Sequence, residues 1–283
     1  MATHTTHNEN GLCAASAARQ AARAGQLARL MLALCLIAAT VPLAACTTTS
    51  YRPPATPAYV SPYDFSNLVF EEGRCYYYQD GAIASRVGID VSEHQGSIDW
   101  NAVADDGIEF AMVRLGMRGY TEGLLYVDEQ FEKNIREASA AGLDVGVYFF
   151  SQAVSEEEAL EEADFLLAQL GGRELAYPVA FDHEPINDPS ARANNVSREE
   201  LTRSALAFLG RVEAAGYEAM LYGNARDAQR FDLAALGDYA FWFAEYDARF
   251  PSGQFDFVMW QYSNNGSVAG ISRRVDMNVH FIV

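Results

Sequence analysis

The segment VGIDVSEHQGSIDWNAVADDGIEFAMVRL, residues 87–115, places an amphipathic stretch between two short apolar runs. The runs at 87–91 and 110–115 have the length and composition of strands buried on both faces, and 99–106 has the pattern of a helix. The same alternation continues to the end of the chain. Further apolar runs lie at 143–150, 177–181, 217–223, 241–246, 255–262 and 275–283, with helical patterns at 127–141, 155–170, 197–215 and 225–236.

Capping signals support the helical assignments. Ser155 and Ser197 each precede a helical pattern and are followed three residues later by glutamate, which is a capping-box arrangement. Gly142 and Gly216 stand where a helix needs a left-handed residue to end. The pattern therefore predicts helices that begin and end close to these positions.

Eight apolar runs, the first five followed by helices and the last three nearly free of them, predict an α/β fold. A closed or nearly closed barrel over residues 86–283 fits this order. A doubly wound open sheet is the competing topology. It would carry a glycine-rich phosphate loop after its first strand, and the sequence GIDVSEHQG at 88–96 is not such a loop.

The charge balance is strongly acidic. The chain has 38 Asp and Glu against 20 Lys and Arg, a formal charge of −18, and Lys133 is its only lysine. Nucleic-acid binders present clustered basic residues, so we expect no nucleic-acid partner. Half of the residues are hydrophobic, which excludes a disordered chain. The four cysteines, Cys13, Cys35, Cys46 and Cys75, have no spacing that forms a disulfide or zinc framework.

The first 46 residues resemble a lipoprotein signal peptide. A basic region precedes the apolar run 30–45, which is shorter than the roughly twenty residues of a bilayer span. The run ends in Leu-Ala-Ala-Cys at 43–46, which resembles a lipobox, so we expect a lipid anchor on Cys46. The alternative is an ordinary secretory signal with an incidental cysteine.

With that anchor, the mature chain would lie on the outer face of the cytoplasmic membrane. Residues 47–66 are rich in Thr, Pro, Ser and Tyr and predict a semi-extended tether. Residues 67–85 form an N-terminal extension before the barrel, with a short strand or hairpin expected around Cys75–Tyr78.

Acidic residues stand at several predicted strand ends. Asp90 ends the first run, Asp182 and Glu184 follow the fourth, and Asp276 lies in the last. In a parallel barrel the chemistry gathers where the strands end. Residues two apart on a strand point the same way, about 6.6 Å apart at Cα. Asp182 and Glu184 should therefore share one cavity, one holding a proton while the other stays charged, as cleavage of a glycosidic bond requires.

The same residues allow other interpretations. The acid pair could be structural, satisfied by the backbone and Arg114. A catalytic metal would need histidines with neighbouring ligands, and His94, His183 and His280 form no such motif. No G-x-S-x-G elbow supports a serine nucleophile, and Cys75 lies outside the barrel pattern. We expect no metal and no cofactor.

Aromatic residues accompany the acids at the strand ends. Tyrosine and tryptophan present a flat face and a polar tip, on which a sugar ring stacks. The candidate substrate-binding residues are Tyr148, Tyr222, Trp242, Tyr246, Trp260 and the neighbouring Gln261. Phe241, Phe243 and Phe257 are expected in the core.

Five motifs in order make residues 86–283 resemble the glycoside hydrolase family 25 muramidases, the Chalaropsis-type lysozymes. The family's opening strand, of the form G-[IV]-D-[VT]-S-x-x-Q-G-x-[IV]-[DN]-W, corresponds to 88–100. Its D-x-E corresponds to Asp182–Glu184, and its W-x-A-x-Y to 242–246. The closing W-Q-Y-S and the V-x-G-[IV]-x-x-x-V-D correspond to 260–263 and 268–276.

The resemblance implies a flattened TIM-like barrel of eight strands and five helices. It implies an N-acetylmuramidase that hydrolyses the β-1,4 bond between N-acetylmuramic acid and N-acetylglucosamine in the glycan strands of peptidoglycan, during cell-wall turnover. By position, Glu184 would be the general acid/base and Asp182 would orient the substrate's acetamido group or the attacking water. Asp90 and Asp276 would complete an acidic floor, with Tyr148 and Tyr222 nearby. We expect a monomer without cofactor.

Two departures from the family pattern concern the site. His183 stands between the two acids, where an apolar or aromatic residue is usual, and its ring should point away from the cavity. The loop after the second strand reads RLGMRG at 114–119 and lacks the usual glutamate. A peptidoglycan-binding lipoprotein without turnover is the alternative function. A different amino-sugar hydrolase on the same barrel is a third possibility.

Overall fold

The computed structural model describes residues 59–282, which build an eight-stranded α/β barrel and a small sheet that precedes it in the sequence. The strands are β1 Leu68–Glu71, β2 Arg74–Gln79, β3 Ala82–Ile83, β4 Ser85–Val91, β5 Phe110–Arg118, β6 Leu125–Val127, β7 Asp144–Phe150, β8 Val179–Asp182, β9 Ala219–Asn224, β10 Ala240–Ala244, β11 Met259–Gly266 and β12 Val275–Phe281. The helices are α1 Trp100–Asp105, α2 Phe131–Ala140, α3 Glu156–Leu170, α4 Arg198–Ala214 and α5 Ala225–Ala228.

The barrel strands run in the order β4, β5, β7, β8, β9, β10, β11 and β12, and β12 pairs with β4 to close it. All neighbours are parallel except β11–β12 and β12–β4, which are antiparallel. One helix follows each of the first five barrel strands, and the last three have none. The predicted TIM-like barrel of eight strands and about five helices is confirmed.

Each barrel strand separates an inner from an outer hydrophobic cluster. On β10, Trp242 packs into the inner cluster, while Phe241 and Phe243 pack into the outer one, against Phe255 of the segment that follows β10. The alternation follows from the two-residue period of a strand. Gly88 makes room for an inner side chain, because a Cβ there would lie 2.3 Å from the ring of Phe110. The barrel interior is thus a packed core.

The expected caps begin and end the helices. Ser155 Oγ accepts a hydrogen bond from the backbone N–H of Glu158, at 3.3 Å, and Ser197 does the same for Glu200 at 3.1 Å. The glycines after α2 and α4 have φ values of 88° and 92°. The helix predicted over 225–236 is wrong in length, because it ends at Ala228. The N–H of Arg230 bonds to the carbonyl oxygen of Asp227, three residues back, and that of Asp232 bonds to Thr202 Oγ1 of α4.

The residues before the barrel pack onto it. β1, β2 and β3 form an antiparallel sheet, and β2 contains the strand expected around Cys75–Tyr78. The ring of Tyr63 stacks on Phe281 at 4.3 Å, and that of Phe65 on Phe257 at 6.0 Å. Both residues belong to the segment predicted as a tether, so the packed region begins earlier in the chain than residue 67.

The signal segment and Cys46 lie outside the described residues. Among residues 59–282, no helix is both long enough and apolar enough to cross a bilayer.

Candidate active site

The barrel mouth, the end at which the parallel strands finish, gathers the four predicted acids. Asp90 and Asp182 lie at the ends of β4 and β8, and Glu184 follows Asp182 by two residues. Asp276 stands opposite Asp90 in the β4–β12 register. Because β12 is antiparallel to its neighbours, its first residues reach the same end of the barrel as the last residues of β4.

Asp182 and Glu184 bring two carboxyl groups together at the barrel mouth. Asp182 is 4% exposed, its Oδ1 is buried with no hydrogen-bond partner among the described residues, and Glu184 is half-buried. Burial, followed by the charges of Glu184 and Asp227, raises the pKa of Asp182 well above its usual value. Burial and the charge of Asp227 raise the pKa of Glu184 to about 7. Both carboxyl groups therefore hold a proton to higher pH than free side chains do.

Asp90 is fixed by two amide donors. Its Oδ2 accepts hydrogen bonds from Gln261 Nε2 at 2.7 Å and from Asn278 Nδ2 at 2.8 Å. Burial raises the pKa of Asp90 to about 6, while these two hydrogen bonds oppose the rise because they stabilise the carboxylate. Burial and the charges of Asp90 and Glu184 raise the pKa of Asp276 to about 8. The four acids are thus close enough to influence one another's ionisation.

Gln261 links the acidic floor to two tyrosines. Its Oε1 accepts hydrogen bonds from the hydroxyl groups of Tyr222 and Tyr246, both at 2.8 Å, while its Nε2 binds Asp90. Tyr246 is 38% exposed and reaches toward solvent, whereas Tyr222 is buried. One amide therefore orients both hydroxyls and one carboxylate.

Comparison with known proteins places this geometry in a family. Residues 89–271 match the family described as Glycosyl hydrolases family 25. The chain belongs to glycosyl hydrolase family 25.

The chain is also similar to proteins named as lysozymes. The autolytic lysozyme of Clostridium acetobutylicum is 28% identical over 191 residues, covering 68% of this chain and 54% of the relative. Lysozyme M1 of Streptomyces globisporus is 30% identical over 205 residues, covering 68% and 66%. The crystal structure of a bacterial lysozyme from Streptomyces coelicolor superposes with a TM-score of 0.57 at 28% identity, covering 68% of this chain and 90% of that one. The chain spans about half the length of the first of these relatives.

The predicted aromatic residues occupy different layers of this family 25 site. Tyr148 is half-buried beside the acids, and burial and the charge of Asp90 raise its pKa well above the usual value. Trp242 is buried beneath Tyr148 and Tyr222, with its Nε1 donating to Asn278 Oδ1 at 2.8 Å. Trp242 therefore supports the site from below.

Trp260 does not lie with Tyr148 and the acids at the barrel mouth. Its side chain is fully buried in the outer cluster, on the opposite face of β11 from Gln261, and its Nε1 donates to the carbonyl oxygen of Glu245 at 3.0 Å. Strand alternation accounts for the difference, since neighbouring residues on β11 point to opposite faces. The structure thus places Trp260 in the packing behind the site.

Three residues at the site were missed from the sequence. Asn278 lies two residues after Asp276 on β12 and binds Asp90, and strand periodicity could have found it. Asp227 and Arg230, on and just after α5, approach the acid pair from the side of β9, and no local pattern signals them. Among residues 59–282, no group of three or more His, Cys, Asp or Glu side chains is arranged to hold a metal ion.

Proposed function

We propose that this chain is an N-acetylmuramidase, hydrolysing the β-1,4 bond between N-acetylmuramic acid and N-acetylglucosamine in peptidoglycan. The observation that carries the proposal is the placement of Asp182, buried, and Glu184, half-buried, together at the barrel mouth, with the pKa of Glu184 raised to about 7. Membership in family 25 and the similarity to two lysozymes support the substrate class.

Glu184 is the general acid in this proposal. Cleavage of a glycosidic bond requires a carboxylic acid that still holds its proton near the working pH, so that it protonates the leaving oxygen. Desolvation and the neighbouring carboxylate charges supply that condition, and the half-buried position of Glu184 leaves it accessible to substrate. After the leaving group departs, the glutamate carboxylate takes a proton from the attacking water.

Asp182 is proposed to orient and polarise the acetamido group of the sugar. An amide N–H that donates to Asp182 would favour its charged form, while Glu184 keeps its proton. The acetamido oxygen would attack C1 as the glycosidic C–O bond breaks, giving a cyclic intermediate that water opens. We therefore expect net retention at the anomeric carbon, and NMR of the product immediately after cleavage tests this: initial formation of the inverted anomer would exclude the acetamide route.

The decisive experiment compares Glu184→Gln with wild type on purified cell wall. The variant keeps size and hydrogen-bonding capacity but cannot donate the proton, so clearing should fall by about 100-fold or more. Glu174→Gln, at an exposed acid before β8, is the matched control and should clear wall as wild type does. Equal clearing by wild type and Glu184→Gln would exclude Glu184 as the general acid, and no clearing by either would favour a binding protein without turnover.

Product analysis separates the muramidase from another amino-sugar hydrolase. A muramidase leaves N-acetylmuramic acid at the reducing end of each released fragment, which mass spectrometry after borohydride reduction identifies. Fragments ending in reduced N-acetylglucosamine would contradict the proposed bond specificity.

We also propose that the mature chain is a lipoprotein on the outer face of the cytoplasmic membrane, anchored through Cys46. The Leu-Ala-Ala-Cys sequence at 43–46 supports this. Mass spectrometry of the N-terminal peptide should find a diacylglyceryl cysteine, and Cys46→Ala should abolish the modification. An unmodified cysteine in the mature protein would refute the anchor.

A further inference from the structure

A single loop holds the backbone of the acid pair from one side. The N–H of Ser151 donates to the carbonyl oxygen of Asp182 at 2.7 Å, and Gln152 Nε2 donates to that of Glu184 at 2.8 Å. Between them, His183 Nε2 lies 3.1 Å from the carbonyl oxygen of Ala153. Three consecutive residues after β7 therefore contact the three consecutive residues that carry the catalytic pair.

Arg230 holds the same backbone from the other side. Its Nη1 donates to the carbonyl oxygen of His183 at 3.1 Å, and its Nη2 lies 3.3 Å from His183 Nδ1. A guanidinium group has donors and no acceptor, so Nδ1 must accept this bond. The imidazole proton therefore lies on Nε2, where it donates to Ala153. His183 is 1% exposed, and burial lowers its pKa to about 4, consistent with a neutral ring.

Asp227 anchors the guanidinium group. Its Oδ1 lies 3.6 Å from Arg230 Nη1, and the carboxylate is fully buried. Among the described residues, neither of its oxygens has a hydrogen-bond partner. A buried carboxylate in this state is costly unless a cation compensates it, and Arg230 is the cation beside it. The arrangement joins β9, through α5, to the backbone that follows β8.

We propose that Asp227 and Arg230 are positioning residues for Glu184: Arg230, anchored by Asp227, clamps both the carbonyl oxygen and the ring of His183 and so fixes the backbone that presents the two acids. This inference rests on the proposed function, since it assigns the Asp227–Arg230 pair a role in the hydrolytic step. His183 is the link, because an apolar residue at this position would offer Arg230 only its carbonyl oxygen.

The same pair also contributes charge to the site. The groups that influence the ionisation of Glu184 are Asp182, Asp90, Asp227 and Arg230, and Tyr222, Tyr246 and Asp276 are in turn influenced by it. Asp227 is the largest charge contribution to the raised pKa of Glu184 after burial, and Arg230 opposes it. Removing the carboxylate charge of Asp227 should therefore lower the pKa of Glu184.

The test separates clamping from charge. Arg230→Lys keeps the positive charge but loses the planar guanidinium group that donates two hydrogen bonds at once. The kcat on purified wall should therefore fall about tenfold, while KM and the pH dependence of kcat/KM stay nearly unchanged. Asp227→Asn removes a negative charge without changing size, and the alkaline limb of the kcat/KM profile should move to lower pH. Glu174→Gln, at the exposed acid before β8, is the control and should behave as wild type.

A second readout does not depend on activity. ¹⁵N NMR of histidine, with the His183 signals identified by their loss in His183→Phe, should show a neutral ring protonated at Nε2 between pH 5 and 8. In Arg230→Met the Nδ1 resonance should shift because its hydrogen-bond donor is lost, while the bond to Ala153 keeps the proton on Nε2.

A folded Arg230→Lys variant with wild-type kcat, an unmoved alkaline limb in Asp227→Asn, or a His183 protonated at Nδ1 would each overturn the inference. If wild type itself hydrolyses no wall, the proposed function fails, and the histidine spectrum still decides whether the clamp exists.

Discussion

The raised pKa of Glu184 predicts that removing its ionisable group stabilises the protein at alkaline pH. The folded structure raises this pKa from 4.5 to about 7. At 1.36 kcal/mol per pKa unit, the folded state disfavours the carboxylate by about 3 kcal/mol. Because the folded pKa lies above the unfolded one, the corresponding stability is fully present below pH 4.5 and is lost as pH rises through about 7. Glutamine at this position cannot ionise, so the variant does not lose this stability as pH rises.

Urea unfolding of wild type, Glu184→Gln and Glu174→Gln at pH 4 and pH 8.5 measures the effect. The free energy of unfolding of Glu184→Gln minus that of wild type should be about 2–3 kcal/mol larger at pH 8.5 than at pH 4. The variant should also lose activity. Glu174 is exposed, so its variant should track wild type at both pH values. An equal difference between Glu184→Gln and wild type at the two pH values would refute the assignment of Glu184 as a buried, destabilised carboxylate.

Three further predictions concern activity and packing. The kcat/KM profile on purified wall should fall as pH rises through about 7, where Glu184 loses its proton; an activity that is flat up to pH 9 would contradict its role as the acid. Gln261→Leu removes the amide that orients two tyrosines and one aspartate, so kcat/KM should fall by about 10- to 100-fold and the unfolding free energy by about 1–3 kcal/mol. Gly88→Ala forces a methyl group into the ring of Phe110 and should destabilise by about 1–3 kcal/mol in chemical unfolding, whereas Gly210→Ala, with only a tyrosine hydroxyl 3.8 Å away, should stabilise slightly.

Most strands and helices could be predicted from the sequence, because the patterns that specify them lie in neighbouring residues. The run at 87–91 became part of β4, and the serine caps of α3 and α4 act as their spacing predicts. The failure at 225–236 involves a non-local contact, since beyond the end of α5 the N–H of Asp232 bonds to Thr202 on another helix. Local sequence indicates that a helix begins at Ala225 but carries no sign of this distant partner.

In the candidate site, too, the residues that local sequence patterns predict differ from those that they do not. Asp90, Asp182, Glu184 and Asp276 were predicted from their place at strand ends, because the periodicity of a strand determines which side chains share a face. Trp260 was expected among them on its residue type, yet the phase of β11 turns it into the outer core. Asn278 lay within reach of the same periodic argument and was overlooked.

The sequence by itself determined a family 25 barrel and which carboxylates stand at its mouth, because strand length, alternation and the positions of acids within motifs are properties of neighbouring residues. Only the tertiary structure decided how those acids ionise. Burial, the hydrogen bonds to Asp90, and the approach of Asp227 and Arg230 join residues far apart in the chain, and pKa values depend on such distances. Even the tautomer of His183 is set by distant groups, the carbonyl oxygen of Ala153 and the guanidinium group of Arg230, 30 and 47 positions away.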